Sequence, residues 1–218
     1  MISCTLNGVK RVLCLGAHSD DIEIGCGGTI LGLIEKSNRI EFYWLVLCAN
    51  HPERAMEARR SANAFLARAR KKTIVVKPFR DGFLPYLGPP VKECFEELKK
   101  VFTPDVIFTH CRHDLHQDHR LVCELTWNTF RDHFILEYEI PKYDADLRSP
   151  NFFVPLSETQ ARKKVKSLIR YFNTQQNKQW FSEELFYGLM RLRATEVASP
   201  ARYAEAFYGR KVLLGTTN

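Results

Sequence analysis

Four histidines lie at every third position of one short stretch, THCRHDLHQDHR, at residues 109–120. The chain has only 7 histidines in 218 residues, so this stretch holds more than half of them. Imidazole nitrogens bind transition metals, but a helix advances about 300° over three residues, so a three-residue repeat cannot turn four rings toward one ion. We therefore expect one or two of these histidines to meet ligands from another part of the chain.

A second polar cluster occupies HSDDIEIGCGGTI, residues 18–30, where a histidine and two carboxylates precede a glycine-rich run. Gly25, Gly27 and Gly28 do not have the G-x-G-x-x-G spacing of a dinucleotide loop, and Asp20 and Asp21 would repel a pyrophosphate. The carboxylates favour a cation instead.

Together the two clusters contain the donors of a catalytic zinc site. Such a site has three protein ligands, from histidine and carboxylate, and a fourth position for water. One histidine and one aspartate of the first cluster, with one histidine of the second, supply that set. Because Mg²⁺ prefers mostly oxygen ligands, the histidines favour zinc or another divalent transition metal.

The elements that must position these residues follow from the apolar pattern. Apolar runs rich in β-branched or aromatic residues predict five strands, interleaved with helices. Such alternation predicts a Rossmann-like, doubly wound, mostly parallel α/β sheet with helices on both faces. The first and fourth strands then meet at the switch point, which brings together whatever follows residues 17 and 109. The predicted strands are 11–18, 42–49, 73–79, 105–110 and 133–140, and the predicted helices are 26–37, 54–70, 91–102 and 119–131.

The C-terminal part gives a weaker pattern. A short strand should precede a helix capped near Ser157, with Glu158 in its first turn. A further helix is expected near 182–194, and the motif RYAEAF follows it. No repeat or linker is visible, so we expect a single domain over residues 1–218.

Composition narrows the class of protein. With 45% hydrophobic residues the chain can bury a core. The longest apolar run, FYWLVLCA, is far shorter than the roughly 20 residues of a membrane span, and the amino terminus is not typical of a signal peptide. Seven cysteines without a C-x-x-C pair suit a reducing compartment. We therefore expect a cytoplasmic protein.

The formal net charge is +7, and much of it lies in residues 53–72 and 162–170. Both stretches are typical of amphipathic helices whose basic face meets solvent. Binding of anionic substrate groups or of nucleic acid remains an alternative use of these residues.

The motifs AHSDDIEIGCGGTI and HDLHQDHR, with SLIRYFNTQ (167–175) and RYAEAF, resemble the PIG-L/LmbE family of zinc-dependent N-acetylglucosamine deacetylases. The resemblance covers nearly the whole chain in the right order. It implies zinc on His18, Asp21 and His119, with Asp20 as general base and His116 stabilising the tetrahedral intermediate. Ser19 stands where the family usually has proline, a change that removes no ligand. The resemblance also implies a homo-oligomer, a trimer or a hexamer.

Other residues carry weaker expectations. Asp118 could orient a histidine, and Asp114 could line the pocket. Arg54 could be either a surface charge or a substrate contact. Asp20 and Asp21 could alternatively form a helix cap. His110 and His113 are expected to be pocket wall or structural, and Tyr203 and Glu205 to pack and form hydrogen bonds. Loops 78–90 and 141–152 are expected to form the pocket walls.

The predicted function is hydrolysis of the N-acetyl group of a small N-acetylglucosamine-type sugar conjugate, giving acetate and a free amine. One alternative is a zinc amidohydrolase acting on a nucleotide-linked sugar or a non-sugar amide. Another is a basic nucleic-acid-binding module with a structural metal, which is disfavoured because structural zinc sites usually use cysteine pairs.

Overall fold

The computed structural model describes residues 5–213, which form a seven-stranded sheet covered by six helices. The strand order is β3-β2-β1-β4-β5-β7-β6; β1 to β5 are parallel, and β7 runs antiparallel to both β5 and β6. The strands are β1 Arg11–Gly16, β2 Glu41–Val46, β3 Lys71–Val76, β4 Val106–His110, β5 Phe134–Tyr138, β6 Phe152–Leu156 and β7 Tyr203–Gly209. The helices are α1 Asp21–Lys36, α2 Pro52–Phe65, α3 Gly88–Val101, α4 Gln117–Thr129, α5 Glu158–Tyr171 and α6 Glu183–Glu196.

This arrangement confirms the predicted fold class. Strands β1 and β4 are neighbours, with Val12 opposite Val106, and the strand order reverses between them. The loops that leave the carboxyl ends of β1 and β4 carry the two polar clusters. The predicted switch point is therefore the place where the clusters meet.

Helix α1 begins at Asp21, five residues before its predicted start at residue 26. The glycine-rich run is part of this helix, and its glycines are required because other elements pack too closely for side chains. A Cβ on Gly25 would lie 2.2 Å from the ring of Tyr138, and one on Gly28 would lie 2.5 Å from the side chain of Leu156. Close packing thus overrides the low helix propensity of glycine.

Most other predicted boundaries agree with the structure within three residues, but α2 ends at Phe65 rather than at residue 70. The chain turns early there, and the N–H of Arg70 bonds to the carbonyl oxygen of Asn38 at the entry to β3. The RYAEAF motif, which had no predicted structure, forms most of β7. The expected cap of α5 is confirmed, since Ser157 and Gln160 form a capping box.

Apolar residues pack on both faces of the sheet. One cluster, with Phe42 and Trp44, lies under α1, α2, α5 and α6; the other, with Phe95 and Ile107, lies under α3 and α4. The six cysteines within residues 5–213 are all free. Among the same residues no helix has both the length and the apolarity to cross a membrane.

Candidate active site

The two polar clusters converge at the carboxyl ends of β1 and β4. The His18 Nδ1 atom lies 3.0 Å from His119 Nε2 and 3.4 Å from Asp21 Oδ2, and His119 Nε2 lies 3.5 Å from Asp21 Oδ1. Ligand atoms about 2.0–2.1 Å from one tetrahedral zinc ion would lie roughly 3.3 Å apart. The predicted ligand set therefore has the spacing of a metal site, and all three residues are buried.

His119 presents its Nε2 lone pair to this site. Burial, followed by the charge of His110, lowers the pKa of His119 to about 3, so the ring is neutral. Its Nδ1 lies 2.8 Å from Asp114 Oδ2, and an N–H there leaves Nε2 free as a metal donor. Lys142 holds the other Asp114 oxygen from 3.0 Å. Asp114, expected to line the pocket, instead orients His119.

Asp118 has the orienting position that the sequence predicts. Its Oδ2 lies 3.2 Å from His18 Nε2, and it also accepts the backbone N–H groups of Gly82 (2.7 Å) and Leu84 (3.0 Å). It therefore fastens loop 78–90 to the site. Burial acts to lower the pKa of His18, but the charge of Asp21 and the bond to Asp118 raise it above its usual value. The cluster favours a positive charge at this point.

Asp20 occupies the N-cap position of α1, yet its side chain makes no capping hydrogen bond. Its Oδ1 lies instead 2.8 Å from Arg54 Nη2. The other Arg54 nitrogen, Nη1, donates to Thr174 Oγ1 over 3.2 Å and lies 3.4 Å from Glu57. The alternative of a simple cap pair is therefore not supported for Asp20. Arg54 is largely buried, so it is a partner of Asp20 rather than a surface charge.

His116 is the N-cap of α4 and lies just outside the helix, as it does in the predicted range of 119–131. Its Nδ1 accepts the N–H of Asp118 over 3.3 Å, so a neutral ring carries its proton on Nε2. The ring centroid lies 4.7 Å from that of His18 and 4.6 Å from that of His119. Burial and the charge of His18 lower the pKa of His116, which favours the neutral ring.

The other two histidines of the cluster, His110 and His113, lie in different surroundings. His110 is fully buried; its Nε2 accepts the N–H of Ala17 over 3.0 Å, and its ring stacks on His119 with centroids 3.9 Å apart. The same nitrogen lies 3.1 Å from Asp21 Oδ2, so His110 packs against two of the predicted ligands. His113 is exposed.

Sequence reasoning missed Asp81. Its Oδ1 lies 3.0 Å from His18 Nε2, and this hydrogen bond lowers the pKa of Asp81 to about 2. An Asp-Gly pair in a loop already expected to wall the pocket was the available signal, but Asp-Gly is common in turns. Lys142, which contacts Asp114, was also missed, although it lies in the other loop that was expected to wall the pocket.

Three overlapping groups could hold a metal ion within residues 5–213. Each consists of three side chains whose donor atoms lie within 4.8 Å of one another. The groups are His18 with His116 and His119, Asp21 with His110 and His119, and His18 with Cys48 and Asp118. Each of the first two contains two of the three predicted ligands, and the third contains one of them together with a thiol.

The fold and this site define a doubly wound α/β protein with a candidate divalent-metal centre at its switch point. The family model described as GlcNAc-PI de-N-acetylase (PIG-L) matches residues 13–130, and the chain belongs to this family. The family consists of metal-dependent hydrolases of N-acetyl amide bonds, so the protein is a metal-dependent N-deacetylase.

Solved structures share the fold. N,N'-diacetylchitobiose deacetylase from Pyrococcus horikoshii has 23% identity and a TM-score of 0.69, over 93% of this chain and 84% of its own. The teicoplanin deacetylase Orf2 has 15% identity and a TM-score of 0.65, over 92% and 97%. The 4-carboxy-2-hydroxymuconate hydratase GalB from Pseudomonas putida has 14% identity and a TM-score of 0.73, over 96% and 99%. The fold therefore accommodates more than one reaction.

Proposed function

We propose that the protein is a zinc-dependent deacetylase of a small N-acetylglucosamine-type sugar conjugate, releasing acetate and a free amine. The observation that carries the proposal is the convergence of His18, Asp21 and His119 within 3.0–3.5 Å of one another. Asp20 lies in the same loop, and its carboxylate accepts a hydrogen bond from Arg54.

The residues present fit a zinc ion. Two imidazoles and a carboxylate are a common catalytic zinc set, and Asp114 and Asp118 orient the two rings as carboxylates do in such sites. Three protein ligands leave a fourth position open. A zinc ion bound there would polarise the amide carbonyl and acidify the attacking water.

Asp20 is the general base in this proposal. Its carboxylate accepts the proton of the water as the oxygen adds to the acyl carbon. The same proton passes to the sugar nitrogen as the C–N bond breaks, so the products are acetate and an amine. Arg54 fixes the Asp20 carboxylate by its hydrogen bond of 2.8 Å.

His116 is proposed to stabilise the oxyanion as a neutral donor. Because its Nδ1 is engaged by the helix N-terminus, its Nε2–H is the group available to a developing negative charge. Burial and the charge of His18 lower the pKa of His116, which favours this neutral form. His116→Ala should retain the metal and reduce kcat about 10²-fold.

The sugar substrate is supported by the family and by the name of the chitobiose deacetylase. Loop 78–90, fastened by Asp118, and loop 141–152, which supplies Lys142, are the proposed walls around the conjugate.

A cytoplasmic location and a homo-oligomer stay predictions. Sedimentation of the purified chain checks the oligomeric state.

Acetate release from a substrate panel tests this proposal. Zinc-loaded protein is offered N-acetylglucosamine, N,N'-diacetylchitobiose, a nucleotide-linked N-acetylglucosamine and an N-acetylated amino acid. Turnover of the sugars above the amino acid, abolished in Asp20→Asn, is expected. Turnover of the amino acid alone would show that the substrate is a non-sugar amide. No acetate release from any of the four compounds would contradict the proposal.

A further inference from the structure

A buried thiol lies beside the proposed metal ligands. Cys48 follows β2, and its backbone N–H donates to the carbonyl oxygen of Ala17 over 2.7 Å, which fixes it next to the His18 loop. The residue is only 3% exposed. Its Sγ contacts Asp118 Oδ2 at 3.7 Å and the carbonyl oxygen of Arg80 at 3.8 Å.

His18 has two nitrogens that face different groups. Nδ1 faces Asp21 and His119, whereas Nε2 lies 3.2 Å from Asp118 Oδ2 and 3.0 Å from Asp81 Oδ1. Donor atoms of His18, Cys48 and Asp118 lie within 4.8 Å of one another. The second face of His18 therefore belongs to a group with a sulfur, a nitrogen and carboxylate oxygens.

We propose that this group is a second cation position for a thiophilic divalent ion such as Zn²⁺, held by Cys48, His18 and Asp118. Thiolate, imidazole and carboxylate together are ligands that zinc accepts in tetrahedral sites. The side chain of Asp81 is 64% exposed, so it is free to close on the ion as a fourth ligand. Binding releases the proton of the thiol and, when the first position is filled, the proton on His18 Nε2, so that His18 would bridge the two ions as an imidazolate. The second ion offsets the negative charge of the thiolate, of this ring and of the two aspartates.

The second position should bind an ion less tightly than the first. An ion there must displace the thiol proton and must take Nε2 of His18 from its bond to Asp118. His18 also belongs to the proposed catalytic set, so filling the second position disturbs the first. If the proposed function holds, excess zinc inhibits turnover by this route.

Cobalt(II) titration of the metal-free full chain tests the second position directly. Cobalt bound to a thiolate shows a charge-transfer band in the near ultraviolet, whereas histidine and carboxylate ligands give only weaker visible bands. The first equivalent should bring the visible bands alone, and the second should bring the charge-transfer band. Cys48→Ser and Cys48→Ala should bind one equivalent fewer and lack that band.

Cys94→Ser is the matched control, because Cys94 lies on α3 and is not in any of the metal groups. It should keep both equivalents and the band. The proposal is overturned if the band persists in both Cys48 variants, if it appears with the first equivalent, or if wild type binds only one. These outcomes do not depend on acetate release, so failure of the proposed function is recognised separately.

Zinc inhibition gives a second readout that does rest on the proposed function. The zinc concentration that halves each protein's own maximal rate should rise at least about tenfold in Cys48→Ser and stay unchanged in Cys94→Ser. If Cys48→Ser loses the charge-transfer band but is inhibited at the same zinc concentration as wild type, the second position exists but does not cause the inhibition.

Discussion

Two buried polar clusters of the protein deal with their charges in opposite ways. In one, which we call the lock, Lys164 Nζ bonds to Glu205 Oε1 and to the carbonyl oxygen of Ile24, each over 2.6 Å. Glu205 also accepts the backbone N–H groups of Gly28 (2.8 Å) and Thr29 (2.7 Å). Positive charge, negative charge and hydrogen-bond donors are matched within the lock.

In the site cluster the matching depends on an exchangeable proton. Asp21 carries a charge, His119 is neutral, and donor atoms of both residues face His18 Nδ1. The pKa of His18 is raised above its usual value, so in the absence of a metal a proton on His18 Nδ1 lies among these lone pairs. A divalent cation competes with that proton for the same donor atoms, as metal ions do with the protons of their ligands. The lock, in contrast, is closed by a lysine that no ion can replace without leaving Glu205 unmatched.

The largest expected effect comes from removing a charge from the site cluster. Asp21→Ala should abolish zinc binding and reduce kcat by about 10³ or more, because a bound metal supplies several kcal/mol of transition-state stabilisation. Elemental analysis beside acetate release checks this. Full metal content with normal turnover in the variant would remove Asp21 from the ligand set.

A substitution of Asp20 should affect proton transfer without affecting metal binding. Asp20→Asn preserves a hydrogen-bond acceptor for Arg54 but cannot take up the proton of the water. We expect kcat to fall about 10²- to 10⁴-fold with metal content unchanged. Turnover at the wild-type rate would show that another group is the base.

The lock should affect stability rather than chemistry. Lys164→Met leaves the Glu205 charge buried and unmatched, which should cost about 3–5 kcal/mol of the free energy of unfolding. Denaturant unfolding measures this loss, and Lys163→Met, an exposed neighbour, is the control. Metal content per folded molecule should stay at the wild-type value. Loss of metal without loss of stability would mean that the lock belongs to the site.

Glu23 shows a third way of handling a buried charge. It is fully buried, its carboxyl oxygens have no hydrogen-bond partner among residues 5–213, and burial raises its pKa to about 8. The folded protein therefore keeps the proton that the unfolded chain loses above its usual pKa. The resulting stability is full below the unfolded pKa and is lost as the pH rises toward about 8.

Glu23→Gln should remove this dependence, since the amide does not titrate. In metal-free protein the stability of wild type relative to the variant should fall by about 1 kcal/mol per pH unit between the two pKa values. Denaturant unfolding at pH 5, 6, 7 and 8 measures the slope. Parallel pH profiles for the two proteins would show that Glu23 is already ionised in the folded state.

Much of this arrangement could be predicted from the sequence. Apolar strands alternating with helices predicted the sheet and its switch point, and the switch point predicted that His18 would meet His119. The helical glycine run could not be predicted, because it depends on Tyr138 and Leu156 from distant elements. Asp114 as the partner of His119 was missed because nothing in the spacing of HDLHQDH says which carboxylate faces which ring.

The strand β7 and the partners of Glu205 in the lock were missed for a similar reason, although a hydrogen-bonding role for Glu205 was expected. RYAEAF is short, and Glu205 gains its role only when β7 brings it to the N–H groups of Gly28 and Thr29, more than 170 positions earlier in the chain. Long-range pairing of this kind leaves no local pattern. Cys48 likewise looks like an apolar filler until the fold places it against Asp118.

The central claim is that His18, Asp21 and His119 form one open metal site. The most direct test is the metal content of protein purified without chelator and then offered one equivalent of zinc, wild type beside His119→Ala. We predict close to one zinc per chain in wild type and a loss of most of it in the variant, with the fold intact by circular dichroism. Zinc retained fully in His119→Ala, or absent from wild type, would contradict the account.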